Sequence, residues 1–428
     1  MECTLERFTV KVADGSGCLF QPLDSDYSYV LTAKHVVEGV DDLIIVRQVL
    51  STHGEVENQR IEVLERPYFN SDPSKDVAII KVRKVEGLEL LLRSDQYLNE
   101  KEGYSLCGHP ESRAHEGFSF RSNNLVINNS TEFNYIEGEV EKNVTHSEVI
   151  GQSGGGIIKK EETCFLLAGI QIRMVARDNV ESLSRIVFAP LSFFDEIIAE
   201  NNEKLSALFP PYFASLEIIH EEVFPLTGIL LTPQKEELLK NQLKIIAKNL
   251  CEVFRVQDVL DFYKDSIIAN GTDKSYVSHK QLWIAFLELI SINQLSIFDR
   301  DLTFEDLRAI RKKHNLIFID CNNWVKKLDL IMKSDLSSVD SGGYIVVSST
   351  KDTKPTTVEL DTDYVQDICS VPAEQMLISS SVTKVAEDLK IIHIYKFQKH
   401  IIENFNSFRN INVSNVKQTI IDETRGII

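Results

Sequence analysis

The sequence predicts a multidomain protein, with an all-β domain followed by a helical segment and a small α/β module. A chain of 428 residues corresponds to two or three domains. Its first 190 residues consist mainly of short segments rich in Val, Ile, Phe and Tyr. After Pro210-Pro211 the apolar residues take helical spacing. A hydrophobic content of 43% and a charged content of 26% are typical of globular proteins.

The β-rich part contains nine predicted strands, separated by charged residues or by Gly, Asn, Asp and Ser. Many short strands at this spacing favour a sandwich or a barrel. The predicted strands are FTVKV (8–12), YSYVLTA (27–33), DLIIVRQVL (42–50), QRIEVLE (59–65), DVAIIKV (76–82), NLVIN (124–128), GGIIK (155–159), CFLLAGIQI (164–172) and SRIVFAP (184–190).

The second half of the chain starts after a predicted helix over 191–209, which is expected to stop at the two prolines. Helical spacing follows over 233–268, 278–292 and 303–314. Strand candidates at 316–320, 343–349, 376–381 and 389–397 then alternate with helical stretches, which indicates an α/β module. We therefore predict a β-rich domain over 1–205, a linker over 206–232, a helical segment over 233–335 and an α/β module over 336–428. Residues 233–428 could instead form one regulatory or recognition domain.

Charge and cysteine content exclude several classes of partner. The chain has 46 Lys and Arg against 64 Asp and Glu, a net charge of −18, which argues against direct binding of nucleic acid. The seven cysteines form no CxxC or Cys/His cluster, so neither a disulfide framework nor a metal site is expected. The first residues do not resemble a signal peptide, and no apolar run is long enough to span a membrane. We expect a soluble cytoplasmic protein that needs no cofactor.

Three segments of the β-rich part carry residues suited to nucleophilic catalysis. A strand leads to His35 in YVLTAKHVV, Asp76 begins a strand in SKDVAIIKV, and Ser153 lies between glycines in VIGQSGGGII. A serine hydroxyl needs a base within hydrogen-bond reach, and that base needs a carboxylate to orient it. The chain order His, Asp, Ser is that of the chymotrypsin-type triad.

These segments resemble the trypsin-like serine proteases, especially their bacterial and intracellular HtrA-like branch. TAKHVV is similar to the TAxHVV of that family, KDVAIIKV to its Asp-containing strand, and GQSGGG to its GxSGGP. The resemblance covers about residues 8–200 and implies a double β-barrel serine protease domain within 1–205. It further implies that His35, Asp76 and Ser153 are catalytic, and that the N–H groups of Gly151 and Ser153 form the oxyanion hole.

The resemblance also indicates where substrate would bind. The strand over 169–174 should pair with an extended peptide, with Ile172 and Arg173 beside it, and Ser147 or Thr145 should lie at the floor of the S1 pocket. Glu148 would favour a basic P1 residue and Arg173 an acidic one, so the preference stays open. Gln152 replaces the Asp that binds a new N-terminus in zymogen-activated members, and Gly156 replaces Pro. Activation by N-terminal cleavage is therefore not expected.

Together these observations predict an intracellular serine endopeptidase that cleaves a specific protein substrate. Residues 206–428 would bind a regulatory partner protein or choose the substrate. By analogy, such proteases act as effectors in bacterial conflict or antiphage defence systems. The alternative is a catalytically silent, protease-like scaffold that binds a partner protein.

Overall fold

The chain folds into two compact units, Met1–Pro211 and Tyr212–Ile428. The structure is a computed structural model. It describes residues 5–50, 55–94, 103–130, 134–141, 149–161, 164–175, 184–272, 274–297, 300–350, 355, 357–360, 390–425 and 427.

The described part of the first unit contains fourteen strands and two α-helices. The helices are α1 (Lys34–Val37) and α2 (Ser192–Glu200). The strands are β1 (Thr9–Val12), β2 (Gly15–Phe20), β3 (Tyr27–Thr32), β4 (Ile45–Leu50), β5 (Val56–Ile61), β6 (Tyr68–Phe69), β7 (Ala78–Arg83), β8 (Leu91–Arg93), β9 (Tyr104–Gly108), β10 (Arg121–Ser130), β11 (Ile136–Val140), β12 (Gly156–Lys160), β13 (Phe165–Met174) and β14 (Arg185–Pro190).

The first seven strands form one sheet in the order β5-β4-β1-β2-β3-β7-β6. The chain that follows β5 returns to β7, where Val63 pairs with Val82 and the Leu64 N–H donates to the Lys81 carbonyl at 2.9 Å. This contact closes the sheet into a barrel, which leaves fewer strand edges unpaired. Alternate residues such as Val10 and Ile80 fill its interior.

The remaining strands form a second sheet in the order β12-β9-β10-β11-β14-β13-β8. Strand β12 also pairs with β13, which closes a second barrel. Strand β8 pairs in parallel with the first residues of β13. Leu106, Ile157 and Phe188 are among the residues of its core. The predicted double β-barrel is confirmed.

A third apolar cluster joins the two barrels to α2. It contains Phe20 and Tyr29 from the first barrel, Phe165 from the second, and Phe194 from α2. The helix is shorter than the predicted span of 191–209 and ends at Glu200. The Asn201 side-chain amide donates to the Ile197 carbonyl at 2.8 Å, which satisfies a carbonyl of the last turn and ends the helix there.

The second unit combines helices with a parallel sheet. Strands β15 (His314–Ile319), β16 (Tyr344–Ser349) and β17 (Lys390–His393) are ordered β15-β16-β17. All six residues of β15 are buried, as expected for a parallel strand covered on both faces. Among the described residues of this unit, the α-helices are α3 (Pro233–Cys251), α4 (Val256–Tyr263), α5 (Lys280–Ser296), α6 (Leu307–Lys313), α7 (Leu328–Met332), α8 (Tyr395–Glu403) and α9 (Val416–Thr424).

The structure differs from two of the predicted boundaries. The predicted linker (206–232) is packed, because Leu216 and Phe224 are each only 1% exposed. The predicted division between 335 and 336 crosses a sheet, since β15 precedes it and β16 follows it. Residues 212–428 therefore form one unit, and the strand predicted at 376–381 lies outside the described residues.

Candidate active site

His35 and Asp76 lie at the ends of adjacent strands of the first barrel. Strand β3 leads into α1, which carries His35, and Asp76 shortly precedes β7, the strand that pairs with β3. The His35 ring Nδ1 lies 2.7 Å from Asp76 Oδ2, and the His35 backbone N–H donates to Asp76 Oδ1 at 2.9 Å. Both carboxylate oxygens thus hold His35, which fixes the orientation of its ring.

The environment of Asp76 keeps it ionised. Burial by itself would raise the pKa of this carboxyl, but hydrogen bonds from the His35 ring and from the backbone N–H groups of His35 and Lys34 outweigh it and lower the pKa. An ionised carboxylate only accepts hydrogen bonds, so His35 Nδ1 carries the proton. In the neutral ring, Nε2 is then the acceptor, which is the tautomer that a general base requires.

Tyr135 supports Asp76 from the second barrel and was not found by sequence reasoning. Its Oη accepts the Asp76 backbone N–H at 2.8 Å and donates to the Ser74 carbonyl at 2.8 Å. The ring packs edge-to-face on Phe193 of α2, with centroids 5.1 Å apart. Burial raises the pKa of Tyr135, so its hydroxyl keeps the proton that it donates. Residue 135 follows no motif, and only the fold brings it to Asp76.

Ser153 lies in a glycine-rich loop that leads into β12. Gly151 and Gly154 adopt φ values of +86° and +89°, which side chains disfavour. A Cβ on Gly154 would overlap the Ser16 carbonyl oxygen and Thr32 Oγ1. The Gly154 N–H donates to the Gln171 carbonyl at 2.7 Å, which fastens the loop to β13. The loop therefore packs directly against β2 and β3, in a backbone conformation that requires glycine at residue 154.

Two backbone N–H groups of the loop make no hydrogen bond to any described residue. Among the residues that the structure describes, no acceptor is bonded to the backbone N–H of Gly151 or of Ser153. A Cβ on Gly15 would lie 2.8 Å from Val36 Cγ2 and 2.9 Å from the Ser153 carbonyl oxygen. The absence of a side chain at Gly15 therefore allows both the loop and α1 to pack against β2. Within the described ranges, no hydrogen bond joins Ser153 Oγ to His35. Such contacts are often long without substrate and tighten in the Michaelis complex.

The residues predicted to touch substrate lie at the end of β13, or outside the described residues. Ile172 is 1% exposed and packs in the core, so only its backbone can meet a ligand, while Arg173 is exposed. The β13–β14 register shifts between Gln171 and Arg173. Beyond Gln171, no described strand pairs with β13 on the side opposite β14. Ser147, like Thr145 and Glu148, lies outside the described residues.

No metal centre is evident around the site. The described residues contain no group of three or more His, Cys, Asp and Glu side chains that could hold a metal ion. The nearby His109 is buried, its Nδ1 is 3.0 Å from Ser119 Oγ, and desolvation lowers its pKa to about 4, so its ring is neutral at pH 7. Within the same described ranges, no helix has the length and apolarity needed to cross a bilayer.

Comparison with known proteins gives a family for each half of the chain. The trypsin-like peptidase domain matches residues 15–165, and C-terminal domain 4 of the ABC-three component systems matches residues 188–403. The serine protease Do-like HtrB of Bacillus subtilis is 28% identical over 173 residues, which cover 39% of this chain and 34% of that protein. The chain thus spans about a third of the length of that relative.

Two solved structures align with about half of the chain. Kallikrein-related peptidase 10 in complex with Zn2+ aligns with 47% of this chain and 100% of its own, at 15% identity and a TM-score of 0.36. A serine endoprotease from Yersinia pestis aligns with 48% of this chain and 68% of its own, at 16% identity and a TM-score of 0.32. The predicted resemblance to trypsin-like proteases is confirmed, whereas the family of the C-terminal half was not recognised from the sequence. The chain belongs to the family defined by C-terminal domain 4 of the ABC-three component systems, and its N-terminal half contains a trypsin-like peptidase domain.

Proposed function

We propose that this protein is a serine endopeptidase that cleaves a specific protein within an ABC-three component system. One observation carries the proposal. The two hydrogen bonds from His35 to Asp76 fix the imidazole with Nδ1 protonated, and so leave Nε2 as the base for a serine on the neighbouring glycine loop.

The proposed reaction uses His35 as a base and then as an acid in each of its two steps. Ser153 Oγ attacks the scissile carbonyl carbon while His35 Nε2 takes the hydroxyl proton. The resulting oxyanion accepts hydrogen bonds from the N–H groups of Gly151 and Ser153. When the C–N bond breaks, His35 returns the proton to the leaving amine, and an acyl-enzyme remains. In the second step His35 takes a proton from water, whose oxygen attacks the acyl carbon. The bond from that carbon to Ser153 Oγ then breaks, His35 returns the proton to Oγ, and the carboxylic acid leaves.

We propose that the substrate binds as an extended strand. Its backbone would pair with β13 over residues 172–174, where no described strand occupies the side opposite β14. The Arg173 side chain would stand beside it, and the small side chain of Ser147 would line the S1 pocket. The choice between an acidic and a basic P1 residue stays open, because Glu148 and Arg173 favour opposite charges.

The C-terminal half would supply recognition. A domain named for three-component systems implies partner proteins, and residues 206–428 are the part of this chain proposed to bind one. No motif for nucleotide or nucleic-acid binding occurs in this half of the sequence. We therefore propose a cytoplasmic effector, acting in defence, whose protease activity is directed by a partner.

A fluorophosphonate probe tests the activity, because it phosphonylates only an activated serine. We expect labelling of the full-length protein, with its system partners present, and loss of labelling in Ser153→Ala and His35→Ala. Ser119→Ala is the control, since Ser119 is a buried serine bonded to a different histidine, His109. Labelling of Ser153→Ala at the wild-type rate, or no labelling of the wild type with its partners, would contradict the proposal.

A catalytically silent scaffold is the second candidate. It is favoured by one observation, that no hydrogen bond links Ser153 Oγ to His35 within the described residues. A scaffold would bind its partner equally well as wild type and as Ser153→Ala, and would never react with the probe. Measuring partner binding and labelling on the same samples therefore separates the two candidates.

A further inference from the structure

Ser16 connects the nucleophile loop to two other parts of the double barrel, at His109 and Thr32. It lies in β2 between two glycines and is fully buried. Its hydroxyl donates to the Gly151 carbonyl at 2.7 Å and accepts the His109 backbone N–H at 2.8 Å. Its own N–H donates to the Ser153 carbonyl at 2.8 Å. Its carbonyl accepts from Thr32 Oγ1 at 2.7 Å.

The hydrogen bonds of Ser16 restrain a loop that is rich in glycine. Gly151, Gly154 and Gly155 lack side chains, so the backbone of the loop has more accessible conformations than other sequences would allow. An oxyanion hole works only if its N–H groups already point at the developing charge. Because Ser16 binds the carbonyls on either side of Gln152, it restricts rotation of the backbone at both residues proposed to form the hole.

A hydrogen bond from Glu111, which follows β9 of the second barrel, also restrains the backbone of the nucleophile loop. The Glu111 N–H donates to the Ile150 carbonyl at 2.8 Å. In a trans peptide the N–H of the next residue points the opposite way, so the Gly151 N–H is directed away from Glu111. The Ile150 carbonyl is thus held by Glu111, and the Gly151 and Ser153 carbonyls by Ser16.

We propose that Ser16 is a positioning residue for the oxyanion hole. It touches no reacting atom, and acts by holding Gly151 and Ser153 in the conformation that accepts the oxyanion. The inference rests on the proposed function, because it assigns a role within the same reaction. Thr32 binds the Ser16 carbonyl from β3, the strand that leads to His35. The contacts of Ser16 therefore also fix the position of the loop relative to the proposed base.

Ser28 provides a matched control. It lies in the neighbouring strand β3 and is also fully buried. Its hydroxyl likewise makes two hydrogen bonds, one accepted from the Val85 N–H at 3.0 Å and one donated to Gln21 Oε1 at 3.1 Å. Neither partner belongs to the nucleophile loop. Ser28→Ala therefore removes two hydrogen bonds of a fully buried hydroxyl and leaves the contacts between Ser16 and the nucleophile loop unchanged.

The experiment compares Ser16→Ala and Ser28→Ala in the full-length protein. We expect a loss of thermal stability in both, because Ser16→Ala leaves two buried partners without their hydrogen bond and Ser28→Ala leaves the buried Gln21 side chain and the half-buried Val85 N–H without theirs. Only Ser16→Ala should slow fluorophosphonate labelling of Ser153, by roughly 10- to 100-fold, because a misplaced donor costs up to as much as a missing one. With a cleavable peptide, kcat should fall and KM should stay near the wild-type value.

Amide hydrogen exchange of residues 149–161 gives a readout that needs no activity. The N–H groups of Gln152, Gly154 and Gly155 are hydrogen-bonded within this segment or to β13, and should exchange faster in Ser16→Ala than in Ser28→Ala. Equal exchange and equal labelling in the two variants would overturn the inference. Absence of labelling in wild type would refute the proposed function instead, and exchange would still decide the role of Ser16. If Ser16→Ala does not fold, Ser16→Cys and Ser28→Cys replace the pair, since a thiol is only a weak donor.

Discussion

Gly154→Ala tests whether the nucleophile loop must lie directly against the first barrel. The new Cβ would approach the Ser16 carbonyl oxygen about 1 Å closer than the 3.0 Å that real Cβ contacts keep, and Thr32 Oγ1 lies nearly as close. Both neighbours are held, the first in a β-strand and the second by its hydrogen bond to Ser16. The loop itself must therefore move by about 1 Å.

The expected magnitude has two parts. An alanine at φ +89° costs roughly 1–2 kcal/mol of backbone strain, and overpacking adds about 1–3 kcal/mol. For a unit of this size, each kcal/mol lowers Tm by about 2–4 °C. A 1 Å displacement of the reacting group costs about 100-fold in rate, so labelling of Ser153 should fall by about that factor or more.

Gly87→Ala is the matched control, because it introduces the strain without the clash. Gly87 adopts φ +66° in the same unit, and a Cβ there would meet nothing within 4 Å. We expect a small decrease in Tm and labelling within about twofold of wild type. If Gly154→Ala labels as fast as Gly87→Ala, close contact between the loop and β2 is not needed, and the account of the site is wrong.

Three further predictions follow from the same contacts. Asp76→Asn should lower kcat about 10⁴-fold, by favouring the wrong His35 tautomer. Because folding lowers the pKa of Asp76, its stabilisation is full above the ordinary aspartate pKa of about 3.9 and is lost as the pH falls through the lowered value. Plots of Tm against pH should therefore be flatter below pH 4 in Asp76→Asn, and parallel plots would contradict this. Tyr135→Phe should cost about 0.5–1.5 kcal/mol in denaturant unfolding by removing the hydrogen bonds to the Asp76 N–H and the Ser74 carbonyl, and an unchanged midpoint would refute the bridge. Iodoacetamide at pH 8 should leave labelling of Ser153 intact, because Cys18 is fully buried and burial raises its pKa; inhibition with Cys18 modified in the mass spectrum would refute this.

Strands with a clear apolar pattern were predictable from the sequence, whereas β2 was not. Gly15 and Gly17 lower the strand propensity of GSGCLF. In the fold, a Cβ on Gly17 would overlap the Val30 side chain, and one on Gly15 would crowd Val36 and Ser153. The glycines are there because other segments approach closely. A local pattern contains no information about such approaches.

The same distinction applies within the candidate site. His35, Asp76 and Ser153 each lie in a recognisable local motif, so sequence reasoning could propose them. Tyr135 and Ser16 act on partners 59 and 135 residues away in the chain, and neither stands in a motif for that task. Positioning residues of this kind can be identified only from the folded structure, because their partners are distant in the sequence.

In the second unit, a helix that is buried on all sides has no polar face from which its packing partners could be inferred. Helix α5 has thirteen buried residues around its whole circumference, and one of them is Glu288, which is fully buried. Its Oε1 accepts the Phe224 N–H at 2.8 Å and the Gln398 amide at 3.0 Å, so it links the predicted linker, α5 and α8. From the sequence alone, a glutamate within an apolar helix would be expected at the surface. Here it connects segments 64 and 110 residues away within one compact unit, and a local pattern does not reveal such contacts.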